Sequence, residues 1–274
     1  AYNNNPYKNP IIGWMNDLDN MTVTDLRKWY DRYYTPANAT LVVVGDVEPH
    51  EVYKLANRHF GQIPAGKKPD IKPRKEDEPL GPRRIVVRTP AKVPYIIMGY
   101  KVPVLKTAAE EWEPYALEVL SGVLSAGRSS RFQRELIRDA QIAADADAGY
   151  SMHSLHNEMF LVDGTPANGH TVEALEQALR EQIERIKAQP VTKEELLRIK
   201  AQVIAGDVYQ KDSAFYQGMV LGTLETVGLG WQKADEYLEK VKAVTPAQIQ
   251  AVANKYLVED RLTVAVLEPQ DMDN

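Results

Sequence analysis

The chain has 274 residues, 44% of them hydrophobic, with 33 basic against 38 acidic side chains and a formal net charge of −5. No basic block is long enough to follow a phosphate backbone, which argues against nucleic acid as a partner, and no apolar run approaches membrane-spanning length. The absence of cysteine excludes disulfides, thiolate zinc ligands and cysteine nucleophiles.

Residues 1–21 carry Pro6, Pro10, Gly13 and a run of asparagines, so they read as an extended or turning approach. A helix is predicted over 23–34, stopping before Pro36, and a strand over 40–45, closed by Gly45-Asp46. A second helix over 48–59 places Val52, Leu55, Ala56 and Phe60 on one stripe. Residues 61–82 hold five prolines among mostly charged residues and read as a stiff, solvated linker. Beyond it, strands are expected around Ile85-Val86-Val87, at Tyr95–Tyr100 and at 158–164, with a helix over 109–124. Ser130 with Gln133 reads as a capping box opening a helix to Asp139, and residues 142–150 alternate small and acidic groups. Helices follow at 171–188, 192–209, 213–226, 231–242 and 246–256, and a last strand at 262–267. Thr192 with Glu195 and Thr245 with Gln248 complete two further capping boxes.

One segment occurs twice. Thr22–Tyr34 followed by Thr40–Val44 matches Thr245–Tyr256 followed by Thr263–Leu267, without a gap, at a spacing of 223 residues. Thr22 falls on Thr245, Leu26 on Ile249, Tyr33 on Tyr256 and Thr40 on Thr263. A period this long indicates duplicated domains, because solenoid units are far shorter. The expected fold class is α+β: duplicated α/β domains, each a sheet with helices packed on one face. Residues 1–60 are expected to be the C-terminal remnant of a first domain, 61–82 the linker and 83–274 a complete second domain. Because it opens without an initiator Met, the chain reads as a fragment.

Several motifs together carry a resemblance: Pro6-Tyr7-x-x-Pro10-Ile11-Ile12-Gly13, the Asp25-Leu26 helix with Tyr33-Tyr34-x-Pro36-x-Asn38, Val44-Gly45-Asp46-Val47, Ser125-x-Gly127-Arg128-Ser129-Ser130-Arg131-Phe132, and Glu194-Glu195-Leu196-x-Arg198-x-Lys200-Ala201-Gln202. The chain resembles the insulinase/pitrilysin-type zinc metallopeptidases, most closely the bacterial branch related to mitochondrial processing peptidase. The resemblance implies homologous domains of a little over 200 residues. It also implies a zinc ion held in the first domain by an H-x-x-E-H helix and a later glutamate, both upstream of Pro6-Tyr7. No such string occurs here; the histidines are His50, His59, His153, His156 and His170. Zinc is therefore expected in the parent protein, and no cofactor, metal ligand or catalytic residue in this chain.

In the same family the second domain supplies an arginine and a tyrosine, in an L-R-x-x-x-G-L-A-Y pattern, that grip the substrate and the oxyanion opposite the metal. The matching stretch runs from Ile137 to Asp145: Arg138 keeps the arginine position as the substrate-binding candidate, while Asp145 takes the tyrosine's. A carboxylate accepts hydrogen bonds and repels an oxyanion. The resemblance further implies a peptide or unfolded polypeptide as substrate and a homo- or heterodimer with a second family subunit; it leaves the compartment, bacterial periplasm or cytoplasm, open. Two readings follow: the C-terminal part of a zinc metalloendopeptidase forming the non-zinc wall of a peptide chamber, or a non-catalytic scaffold that presents polypeptides.

Other patterns are weaker. His153-x-x-His156-x-Glu158 lacks the spacing of a helical ligand pair and sits in a loop leading to a strand, which suits ordinary hydrogen-bonded histidines. Gly127-Arg128-Ser129-Ser130 lacks the lysine of a nucleotide loop. Arg131, Arg134 and Arg138 lie at helical spacing, as a solvated face or as a stripe meeting carboxylates. Trp29, Tyr30, Tyr33 and Tyr34 read as core and flank of one helix.

Overall fold

The computed structural model describes residues 1–78 and 81–270. Pro79 and Leu80 of the expected linker lie outside the described residues. In chain order the elements are α1 (Met15–Asp19), α2 (Val23–Tyr33), α3 (Pro49–Phe60), β1 (Arg83–Pro90), β2 (Tyr95–Val102), α4 (Trp112–Ser125), a π-helix (Phe132–Asp139), β3 (Ala143–Gly149), β4 (Glu158–Pro166), α5 (Val172–Ala188), α6 (Lys193–Gln210), α7 (Ala214–Val227), α8 (Lys233–Ala243), α9 (Pro246–Tyr256) and β5 (Leu262–Gln270).

The same capping chemistry opens both copies of the repeat. The Thr22 hydroxyl accepts from the Asp25 N–H while the Asp25 carboxylate accepts from the Thr22 N–H, and Thr245 and Gln248 do likewise. Each box satisfies two backbone donors that the first helical turn would otherwise leave open. At the 223-residue offset, α2 coincides with α9 end to end, and the 3-10 turn Pro36–Asn38 coincides with Glu259–Arg261. The copies then diverge. Leu262–Gln270 becomes β5, parallel to β1 on one side and antiparallel to β2 on the other. Residues 40–45, expected to be a strand, join no ladder: among the described residues no strand lies beside them, and extended backbone is a strand only when paired.

The five strands run in the order β1-β5-β2-β4-β3. Ile96, Met98 and Tyr100 of β2 stand opposite Val266, Val264 and Leu262 of β5 and Gly164, Val162 and Phe160 of β4, and the side chains of this face are buried. Against it pack α4, α5 and α9, with Leu117, Leu120, Leu175, Leu179, Ile249 and Val252 fully enclosed. Each such side chain contributes about 1.5–3 kcal/mol of transfer free energy, so this layer contact dominates the stability of the unit. On the opposite face Ile97, Asp163, Ala265 and Leu267 remain partly open. The alternation over 142–150 proves to be β3, an edge strand whose inward residues are alanines.

Close packing divides the chain into two units: Ala1, Asp77–Asp207 and the chain from Asp235 onward form one, Tyr2–Glu76 with Val208–Ala234 the other. Within the second, α7 brings Gly222 and Gly218 against Val42 and Val44, close enough that an added Cβ would touch their methyls at 3.8 and 3.7 Å. The aromatics of α2 depart from the expected core role. Tyr30 stacks on Tyr34 at 4.7 Å, yet Trp29, Tyr30 and Tyr34 all stay more than half exposed.

The Ser130–Gln133 capping box does not form. The segment is a π-helix with an Ala140 N–H to Glu135 carbonyl bond at 3.0 Å, and the Ser130 hydroxyl is buried without a partner. A buried ion pair lies next door. Arg131, buried, donates twice to Glu195, Nε to Oε1 and Nη2 to Oε2, each at 2.9 Å. That pair anchors the helix start through its guanidinium, and it also draws the Glu195 carboxylate away from the expected Thr192 box, of which only the Glu195 N–H to Thr192 hydroxyl bond remains (3.1 Å).

Glu118 of α4 accepts from the Tyr237 hydroxyl at 2.7 Å, while its Oε2 is sealed from water without a partner. Burial, with the Asp207 charge adding to it against the Tyr237 bond, pushes this carboxyl up to about 7. A carboxyl raised in the folded state keeps its proton where the unfolded chain has lost it. Stability therefore falls as pH rises from about 4.5 to about 7 and is level above. Glu118→Gln keeps the acceptor for Tyr237 and is expected to flatten that slope, stabilising the fold at pH 8 by up to about 3 kcal/mol; urea melts at pH 5 and 8 check it. Arg131→Ala is expected to cost about 3–5 kcal/mol by stranding the Glu195 charge, whereas Arg131→Met with Glu195→Leu is expected to be near neutral. Equal losses in the single and double variants would contradict this.

Candidate functional site

Three backbone irregularities fall within fourteen residues at the sequence-predicted site: the π-helix, a left-handed Gln141 (φ 50°) and a β-bulge between Ala143 and Asp145. Gln141 is the sole non-glycine with positive φ among the described residues. It turns the chain so that the Ile142 N–H reaches the Leu136 carbonyl at 2.9 Å and Ile142 in turn accepts from the Ala167 N–H. The bulge then resets the pleat. Ala143 is opposite Pro166 and Asp145 opposite Thr165, with Ala144 as the extra residue. Ala143, Ala146 and Ala148 point into the core, so Asp145 and Asp147 share the outer face. Without the bulge Asp145 would follow Ala143 inward. Gly164 permits the arrangement, since a Cβ there would lie 2.7 Å from the Asp145 carbonyl oxygen.

Asp147 stands opposite Asp163 in the β3–β4 ladder, and the Tyr95 hydroxyl donates to Asp163. Desolvation raises the Asp163 carboxyl, the Asp147 and Asp145 charges raise it further, and the Tyr95 bond offsets part of this. The Tyr95 phenol is pushed up in turn by burial and by its acceptor. The strip Asp145, Asp147, Asp163 and Tyr95 therefore presents negative charge and a phenol held in its protonated form. Asp145 puts a carboxyl group at the position the resemblance gives to a tyrosine hydroxyl. Arg138 is exposed in the last turn of the π-helix and makes no hydrogen bond or ion pair with a described residue. The left-handed residue is Gln141, whereas the motif as matched puts its glycine on Ile142. Sequence reasoning does not single out Tyr95 and Asp163; the signal available is one acid that closes the apolar run Met159–Val162.

The histidines do not assemble a metal centre. His153 and His156 are both held below the usual imidazole range, by burial and, for His156, also by Lys106. Glu158 is engaged by the Ser154 hydroxyl at 2.9 Å. Among the described residues no group of three or more His, Asp or Glu side chains is placed to hold a metal ion. The zinc that the resemblance implies finds no donor set here. Also among the described residues, no helix is long and apolar enough to cross a membrane.

Comparison with known proteins agrees with this geometry. The family described as "Peptidase M16 inactive domain" matches residues 20–203. The chain is 29% identical over 276 aligned positions to a protein named zinc protease PqqE from Helicobacter pylori, covering 98% of this chain and 60% of that protein. A crystal structure of a protease from Helicobacter pylori is similar with a TM-score of 0.90 and 27% identity, over 98% of this chain and 64% of that one. An M16 inactive domain from Pseudomonas fluorescens shares the fold at a TM-score of 0.83 and 16% identity, over 100% of this chain and 64% of the other. The chain thus spans about 60% of the length of such relatives. The match extends over well more than half of the chain, and this chain therefore belongs to the M16 peptidase family, to the part described as its inactive domain.

Proposed function

We propose that the chain forms the non-zinc wall of a peptide-binding chamber in a zinc metalloendopeptidase, with 1–60 as the remnant of a first domain, 61–82 as linker and 83–274 as the second domain. In this reading the zinc and its general base lie in the parent protein, outside this sequence. The substrate is an extended peptide or unfolded polypeptide. It adds to the outer edge of β3 on the Ala143–Asp147 side, because the Ala148 carbonyl and N–H are already taken by Ser125 and Asp147, and the flanking side chains supply preference. Arg138 touches the bound peptide from the π-helix. The oxyanion donors come from a partner subunit in a homo- or heterodimer. The observation that supports the reading is Asp145, a carboxyl group that the bulge turns onto the outer face of β3 at the position the resemblance gives to a tyrosine. The same residue favours a second reading, a scaffold that binds polypeptide without any cleavage.

The test is kinetic and uses the parent enzyme with its partner. Arg138→Ala is expected to raise KM by about threefold or less and to leave kcat unchanged, since uniform binding alone is lost. A hundredfold fall in kcat would overturn the partner arrangement. A parent that cleaves no peptide when loaded with zinc would favour the scaffold.

A further inference from the structure

A second polar site lies away from the Asp145 strip. Four guanidinium groups, those of Arg131, Arg134, Arg185 and Arg198, line a pocket of about 270 Å³. It sits where the π-helix, the C-terminal end of α5 and the N-terminal turn of α6 converge. The carboxylates there are mostly committed. Glu195 is held bidentately by Arg131. Glu135 accepts from Arg134, from Gln182 at 2.9 Å and from Arg185. Burial alone would raise the Glu135 carboxyl, but these three donors hold it down at about 2, so it stays ionised and occupied.

Arg198 is left over. It forms no ion pair with a described carboxylate. Its Nη2 makes one long bond to the Ser129 carbonyl (3.3 Å), and its Nε is buried with no acceptor at all. A buried guanidinium donor without an acceptor is rare; this nitrogen is closed to solvent, so a bound group would meet the Arg198 guanidinium at its terminal nitrogens. The unused donors of Arg134 and Arg185 border the same space, and the positive end of α6 opens beside it at Thr192. Glu194 also lines the pocket, exposed and unpaired, and opposes an anion there. The volume is several times the roughly 30 Å³ share of one water, ample for a tetrahedral oxyanion.

We propose that this pocket binds a phosphate group, with Arg198 and Arg134 as its principal donors and Arg131 kept in place by Glu195. The planar fork of arginine matches the paired oxygens of phosphate. The group can arrive as inorganic phosphate or as the monoester of a nucleotide, and the experiment separates the two. Calorimetric titrations of the 274-residue chain, at fixed ionic strength in chloride buffer, would use sodium phosphate in one arm and adenosine monophosphate in the other. Saturable one-to-one binding is expected in at least one arm. Tighter monophosphate binding points to an ester, and equal binding to free phosphate. Arg198→Ala and Arg134→Ala are expected to weaken it tenfold or more, Glu194→Gln to tighten it, and Arg138→Ala, outside the pocket, to leave it unchanged. If Arg198→Ala fails to fold, Arg198→Gln keeps the stem and serves in its place. Heats that never saturate in the folded chain, or affinities the same in Arg198 and Arg138 variants, would overturn the proposal.

Discussion

The bidentate bond between Arg131 and Glu195 governs how this chain passes from its helical layer into its sheet. Two opposite charges taken out of water at these positions tolerate little freedom, because either one stranded alone costs several kcal/mol. The guanidinium holds Arg131 at the start of the π-helix, beside the unpartnered Ser130 hydroxyl. The wide turn brings Phe132 and Leu136 into the core and leaves the Ser130 hydroxyl without its capping role. The same carboxylate, drawn to Arg131, forgoes the reciprocal half of the Thr192 cap.

From that anchor two features diverge. Toward the sheet, the π-helix runs into left-handed Gln141 and then the bulge, and the bulge turns Asp145 onto the outer face beside Asp147 and Asp163. Toward α5 and α6, Arg134, Arg185 and Arg198 collect around the committed Glu135 and Glu195. The unit thus carries a negative strip on its sheet and a positive pocket among its helix ends, with one short segment feeding both. Both lie in the stretch that matches the M16 inactive-domain family.

Much of the architecture was legible in the residues. The capping pairs Thr22/Asp25 and Thr245/Gln248 set the repeat, and the structure reproduces its boundaries through the 3-10 turn that follows each helix. The departures have local causes. Residues 40–45 have strand composition but no neighbouring strand, and composition cannot supply a hydrogen-bond partner. Ser130 and Gln133 have capping spacing, yet the box does not form, and the adjacent Arg131 pairs instead with Glu195, 64 positions along the chain. β3 hid because its inward residues are alanines, too small to register as an apolar stripe. At the candidate site, Arg138 and Asp145 could be found by motif; the contact between Tyr95 and Asp163 spans 68 positions and depends on strand order.

The most direct test of the anchoring role is a crystal structure of the Arg131→Met, Glu195→Leu variant. If the ion pair imposes the irregular turn, its removal should let residues 132–139 revert to α-helical bonding, with the Ser130 hydroxyl capping the Gln133 N–H and the Ala140 N–H shifting from the Glu135 to the Leu136 carbonyl. A variant that folds with the Glu135–Ala140 bond intact and Ser130 still unpartnered would show that the pair merely accompanies the π-helix.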